Sequence, residues 1–257
     1  MLRRFGCFTS LILRLSHVPV TSSILHSSIQ VFTKRTASSG HGSFIMPSPI
    51  VTTSFSEATQ NRRSIRALEA RTTVPDSTIT KLAQAAILTV PSAFDNQSAR
   101  LTVLLGDDHR KLWAITADYL QAKIGEKRWN EGTSDRIAGF ANAYGTILFW
   151  DDQSCAVAMK ENSPDIYKDQ TDEWVQQSNG MHQYYLWVAL EALGLGANLQ
   201  HYNPLIDDEV KRTWDVPGDW KLKAQMVFGV PKEGSELGEK VQKVAVEERV
   251  RVFGAKI

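Results

Sequence analysis

Two periods alternate along the chain, one helical and one of strand type. In "VPDSTITKLAQAAIL", Ile79, Leu82, Ala83, Ala86 and Ile87 fall on one face at helical spacing, and Asp76 stands where a cap belongs. "SEATQNRRSIR" begins as a helix with Ser56 as its N-cap. "ARLTVLLG" predicts a strand ending at Gly106, and "YGTILFW" a strand buried on both faces. "DDHRKLWAITADYLQAKIG" predicts a helix with Trp113, Ala117 and Leu120 on one side. Residues 172–193 predict a long helix. Its second half, "YYLWVALEAL", is apolar almost all round and belongs in a core or between subunits. Gly194 and Gly196 end that helix, and "ANLQHY" reads as the next strand. "LIDDEVKRTW" reads as a short helix, "LKAQMVFGVP" as a strand and "VEERVRVFG" as a C-terminal arm. Strands separated by helices place the fold in the α/β or α+β classes.

Charge divides the chain. Residues 1–46 carry Arg3, Arg4, Arg14, Lys34 and Arg35 and no acid, leaving 24 basic residues against all 28 acids in the remainder, a net −4. A mildly acidic body excludes an electrostatic grip on nucleic acid. The first 46 residues are rich in Arg and Ser, with Phe5, Phe8, Ile12 and Leu15 at helical spacing. They read as a mitochondrial transit peptide or a disordered N-terminal extension, with the body at 47–257. Translation from Met1 then implies a mitochondrial protein; a functional start at Met46 implies a cytoplasmic one, the nucleus included. No apolar run reaches the ~18 residues of a membrane span. Cys7 and Cys155 suggest no disulfide framework.

No metal-ligand spacing, Walker loop, nucleophile elbow or CxxC pair is present. His182 and His201 stand far apart, as structural or pocket-lining histidines. The glycines of "GLGAN" follow a helix rather than a strand, the wrong context for a Rossmann phosphate loop. Without a protein nucleophile or metal, the chemistry falls to an organic cofactor. The remaining unusual feature is "NRRSIR", with Arg62, Arg63 and Arg66 in an otherwise non-basic body. These side chains form either a site for an anion or an exposed basic helix end.

"NRRSIR", "PSAFDNQSARLTVLLG", "YGTILFW" and "SNGMHQYYLWVALEALGLGANLQHYNP" follow one another as they do in the nitroreductase-like flavoproteins, and the body resembles the fungal and bacterial branch over roughly residues 50–257. The resemblance implies an α+β sandwich with a central antiparallel sheet flanked by helices, in an intertwined homodimer. It implies FMN at the subunit interfaces, NADPH or NADH as co-substrate, and a nitroaromatic compound or quinone as acceptor in a ping-pong cycle. The alternatives are a non-catalytic flavin-binding redox or regulatory protein, or a specialised relative of the reductive dehalogenase type with a lid, for which residues 151–173 would be the segment.

The same resemblance implies the cofactor-binding residues. Arg62 and Ser64 lie along the phosphate and ribityl chain with Arg63 close by, and arginine's planar fork suits phosphate oxygens. Arg66 approaches the N1/O2 edge of the ring, where a cation stabilises the negative charge that reduction places there. Arg249 and Arg251, one residue apart, complete the phosphate cage, or else form a solvated arm with Glu247 and Glu248. Ser92, Asn96 and Gln97 lie along the flavin from the opposite side, beside Pro91. Near relatives commonly read Asn-Ser-Gln where this chain has Asp95-Asn96-Gln97, so Asn96 is assigned the donor role that Asp95 lacks when ionised. Gly194, Leu195 and Gly196 pass the backbone close to the ring, or serve as helix cap and packing contact. Phe140, Tyr144, Trp174 and His201 are candidate liners of the open face. No side chain is assigned a catalytic role, and no metal is expected.

Overall fold

A computed structural model describes residues 53–235 and 237–256 of the chain. The targeting segment expected at 1–46 lies outside the described residues. The elements are α1 (Phe55–Asn61), β1 (Leu68–Glu69), α2 (Asp76–Thr89), β2 (Ala99–Leu105), α3 (Gly106–Arg128), α4 (Ser134–Ala141), β3 (Gly145–Asp152), α5 (Gln153–Asn162), α6 (Thr171–Ala192), β4 (Gly196–Gln200), α7 (Asp207–Thr213), β5 (Trp220–Pro231) and α8 (Val246–Arg249). Short 3-10 turns occupy Ala93–Asp95 and Asp165–Gln170.

The sheet is antiparallel and centred on β5. β3 pairs along one side of β5, and β2 pairs outside β3. On the other side, β4 pairs with Gln225–Gly229 and β1 with Val230–Pro231. Helices cover both faces, so β3 is buried at every position. Strand alternation divides its side chains: Leu148 and Trp150 join the cluster containing Leu112, Trp113, Phe140 and Val210, while Ile147 and Phe149 join Ile79, Leu82, Leu186 and Leu190. This is the expected α+β class.

Three local readings change. Ser54, not Ser56, caps α1, its hydroxyl accepting from the Glu57 amide at 3.3 Å. Helix α2 starts one residue earlier in its cap, at Pro75, and the Asp76 carboxylate accepts from the Tyr144 hydroxyl instead. The segment 153–170 folds into α5 and a 3-10 turn packed on α6 through Ala156, Met159 and Val175. The apolar girdle of α6 is accounted for within one chain on two sides: Leu186 and Leu190 face the sheet, and Val188 and Ala192 pack on Ala58 of α1. Met181 and Tyr184 remain exposed. No described helix is long and apolar enough to cross a membrane.

Candidate functional site

Helix α1 ends at Asn61, and Arg62 leaves it with an extended ψ of 125°. The following residues dock onto the start of β4. The Ile65 amide donates to the Ala197 carbonyl at 3.0 Å, and Asn198 Nδ2 donates to the Ile65 carbonyl at 2.7 Å. Ser64 forms a parallel bridge with Ala197. Ile65 is buried and Ser64 and Arg66 are exposed, so alternation turns these two to the opposite, outer side, with Arg62 at the same parity and half-buried. Arg63 has the other parity and donates to the Gly238 carbonyl at 2.7 Å. The sequence pattern "RRSIR" therefore becomes one outward row of two cations and a hydroxyl.

The row faces α6. The Arg62 guanidinium lies 4.4 Å from the centroid of the Trp187 ring. One turn further, burial pushes the Glu191 carboxyl above its ordinary value, against the opposing pull of Arg62 and Lys240. Lys240 itself donates to the Gln60 carbonyl. Sequence reasoning passed over Trp187, Glu191 and Lys240. The one charged residue inside "YYLWVALEAL" was the signal available for Glu191.

The glycines next to this row have local explanations. Gly194 sits at φ 73°, its amide donating to Glu191 and that of Leu195 to Leu190, the paired bonds of a Schellman cap. Leu195 is buried in the core. A methyl group at Gly196 would lie 3.0 Å from Leu68 Cδ2 and 3.1 Å from Ile65 Cβ, so this glycine lets the arginine segment approach β4.

The "PSAFDNQ" turn lies elsewhere. The Ser92 hydroxyl accepts from the Gln97 amide at 3.0 Å. Asn96 Nδ2 donates to the Ala93 carbonyl at 2.9 Å, and its Oδ1 accepts from the Ser98 amide at 2.8 Å. Asn96 is thus occupied at both ends in holding the turn, so the donor role assigned to it is already filled internally. Gln97 and Asp95 are exposed and paired with each other at 3.1 Å. Phe94, Asp95 and Gln97 all have positive φ, at 52°, 53° and 49°, a conformation that costs of order 1 kcal/mol or more each for such residues. The outcome is a Phe94 ring 71% exposed, 5.6 Å from Trp174. Ser92, Phe94, Trp174, Gln177, Ser178 and Met181 line an open pocket of about 400 Å³. Beneath it, burial raises the Asp151 carboxyl, which accepts from Asn179 Nδ2 at 2.7 Å; burial lowers His182, whose Nδ1 meets the Ser178 carbonyl.

Pocket and arginine row touch α6, at their nearest, at Met181 and Trp187, six residues and so about 9 Å apart along the helix. One chain does not bring them together. Arg249 ends α8 rather than lying on an extended arm, and it donates to Gln242; Arg251 is exposed beyond it. Of the candidate liners, Trp174 lines the pocket. Phe140 is buried against Trp113, Tyr144 is tied to Asp76, and His201 is exposed.

Known proteins share this fold. The model of the nitroreductase family matches residues 59–230. HBN1 of Saccharomyces cerevisiae is 32% identical over 174 residues, 66% of this chain and 84% of that protein. The nitroreductase FRM2 of the same yeast is 33% identical over 141 residues, 55% of this chain and 68% of that protein. Among solved structures, nitroreductase CinD from Lactococcus lactis in complex with chloramphenicol superimposes with a TM-score of 0.69 at 38% identity, over 78% of this chain and all of that one. The family match spans the arginine row, the "PSAFDNQ" turn and the sheet up to Val230 of β5: the chain belongs to the nitroreductase family and is an oxidoreductase of the nitroreductase type.

Proposed function

We propose that this protein is an FMN-dependent oxidoreductase that takes reducing equivalents from NADPH or NADH and passes them to nitroaromatic compounds or quinones in a ping-pong cycle. The observation that carries the reading is the outward row Arg62, Ser64, Arg66, fixed to β4 by the Ile65 and Asn198 hydrogen bonds. It fits FMN on its chemistry. Among the described residues, no carboxylate lies within 4 Å of Arg62, so its planar N–H edge is available to phosphate oxygens. Bound FMN would supply the atom that accepts and returns hydride.

The protein's own part is to bind and orient. Arg62 and Ser64 hold the phosphate and ribityl end, and Arg66 places a positive charge beside the ring. The open pocket lined by Phe94 and Trp174 offers an aromatic wall for an acceptor. Holding donor and acceptor in contact supplies much of the rate without any protein nucleophile. CinD has been seen with chloramphenicol and with 4-nitrophenol, and another nitroreductase-fold protein, from Desulfovibrio desulfuricans, with FMN.

The same reading requires a homodimer. Half-sites about 9 Å apart along α6 leave the pocket of one copy to meet the arginine row of another. Exposed Phe55, Met181, Tyr184, Val252 and Phe253 supply apolar surface for that contact. We propose further that residues 1–46 direct the chain to mitochondria when translation starts at Met1; a fluorescent fusion of that segment that stays in the cytosol would refute it. For the activity, the test is the visible spectrum of the purified protein, followed by anaerobic mixing with NADPH or NADH and then with a nitroaromatic acceptor. Bleaching of a bound flavin and its recovery on adding acceptor are expected. A colourless protein that takes up no added FMN overturns the proposal.

A further inference from the structure

We infer that Trp187 is a positioning residue for the phosphate grip: its ring holds the Arg62 guanidinium by the face and leaves the N–H edge to the anion. The inference rests on the FMN reading above. A guanidinium can be approached in two ways. An acceptor takes its edge, while an aromatic ring takes its face, and the two do not compete. In this structure the face is taken, with Cζ 4.4 Å from the Trp187 centroid. The edge carries no ion pair among the described residues.

The surroundings explain why a platform is needed. Arg62 is the first residue beyond α1, and its backbone is held by a single amide bond to Ala58. A long side chain at such a position has much rotamer freedom to lose on binding, and losing it beforehand strengthens the complex. Trp187 is well suited, because α6 is a 22-residue helix packed on the sheet through Leu186 and Leu190. Its indole Nε1 is buried without a hydrogen-bond partner among the described residues, and its ring face carries the Arg62 contact. Glu191, four residues on, stands on the same side of α6 and adds a negative charge within electrostatic reach of Arg62 and Lys240. Platform and counter-charge together hold the cation where an incoming dianion finds it.

The competing possibility is that the Arg62 stem merely covers an apolar ring. Binding of two flavins separates them: FMN and riboflavin, which has the same ring system and no phosphate. Flavin fluorescence titrations would use the full-length protein freed of bound flavin, in four forms: wild type, Trp187→Leu, Trp187→Phe and Arg62→Ala. Trp187→Leu should weaken FMN binding about tenfold and leave riboflavin unchanged, and Trp187→Phe, which keeps a π face, should stay near wild type. In the Arg62→Ala background, adding Trp187→Leu should cost nothing further. Equal weakening toward both flavins, unchanged FMN affinity in Trp187→Leu, or additive losses in the double variant would overturn the positioning role. Failure of the wild type to bind FMN would instead remove the cofactor reading, and it would show before any variant is made.

Discussion

Asn198 Nδ2 and the Ile65 carbonyl are 2.7 Å apart, across 133 residues of sequence. With the Ile65 amide on Ala197, this bond satisfies both backbone groups of Ile65, the buried residue at the centre of the arginine segment. Asn198→Ala orphans a buried carbonyl and should cost about 1–3 kcal/mol of stability. The chain should still fold, with weaker FMN retention because the row Arg62–Arg66 loosens. Chemical denaturation paired with an FMN titration would check this; full retention of FMN in a destabilised variant would separate the bond from the site.

Gly196 makes a sharper test of the same docking. Its added Cβ in Gly196→Ala would press on Ile65 Cβ and Leu68 Cδ2 at about contact-breaking range, and overpacking of this kind costs about 1–3 kcal/mol. Gly194→Ala meets no crowding, since Thr73 Cγ2 is 3.9 Å away, and should cost only the about 1–2 kcal/mol of a left-handed residue. Thermal unfolding should reveal both losses, but flavin affinity should fall mainly in Gly196→Ala.

Arg66 and Arg62 share a face yet should differ in effect. Arg66→Gln removes a charge from the ring end, so the two-electron potential of the bound flavin should drop by ~30 mV or more, equivalent to roughly 1.4 kcal/mol. Arg62→Ala should instead lower FMN affinity by about 1.5–3 kcal/mol with little change in potential, because the phosphate charge is constant through reduction. Potentiometric titration of both variants, reconstituted with excess FMN, reads the difference. An unchanged potential in Arg66→Gln would place that side chain away from the ring.

Light scattering at micromolar concentration should give a dimer, and Phe253→Asp should weaken it, since that ring is 88% exposed in the single chain. A monomer that keeps tight FMN binding would refute the shared site.

Acid stability should depend on His109. It is buried, its Nδ1 lies 2.9 Å from Thr146 Oγ1, and burial lowers its pKa from 6.5 to about 4 despite the nearby Phe140 and Ala141 carbonyls. A depressed histidine favours the unfolded chain as pH falls, because the unfolded form binds the proton first. Stability present above pH 6.5 is therefore lost progressively down to about pH 4, by about 3 kcal/mol in total. Denaturant midpoints between pH 7 and 4 should fall less steeply in His109→Gln than in the wild type. Equal slopes would remove His109 from the acid response.

Much of this was legible along the chain, because periodicity is a local property. The continuous apolar run of "YGTILFW" and the helical repeat of "ITKLAQAAIL" state which faces need burial, and the sheet and α2 follow. The long apolar half of α6 was equally plain, as was the row of cations in "NRRSIR" and its resemblance to a flavin-binding segment. Caps were harder. Ser54 and Ser56 are both good N-cap residues, and only the path of the backbone selects Ser54. Asp76 suits a cap, but Tyr144, 68 residues away, takes its carboxylate.

The sequence by itself determined the longer elements and the family, since these depend on neighbours within a turn or two and on motifs in order. Tertiary structure decided the partners. It set Arg62 on Trp187, 125 residues distant, and filled the Asn96 amide inside its own turn. It assigned Gly196 to the close approach of Ile65, and it separated the Phe94–Trp174 pocket from the arginine row by more than one turn of α6. Each of those outcomes comes from packing between segments far apart in the chain. Which ring covers a cation, and which amide an internal carbonyl claims, is fixed only when the sheet brings β4 and α6 against the end of α1.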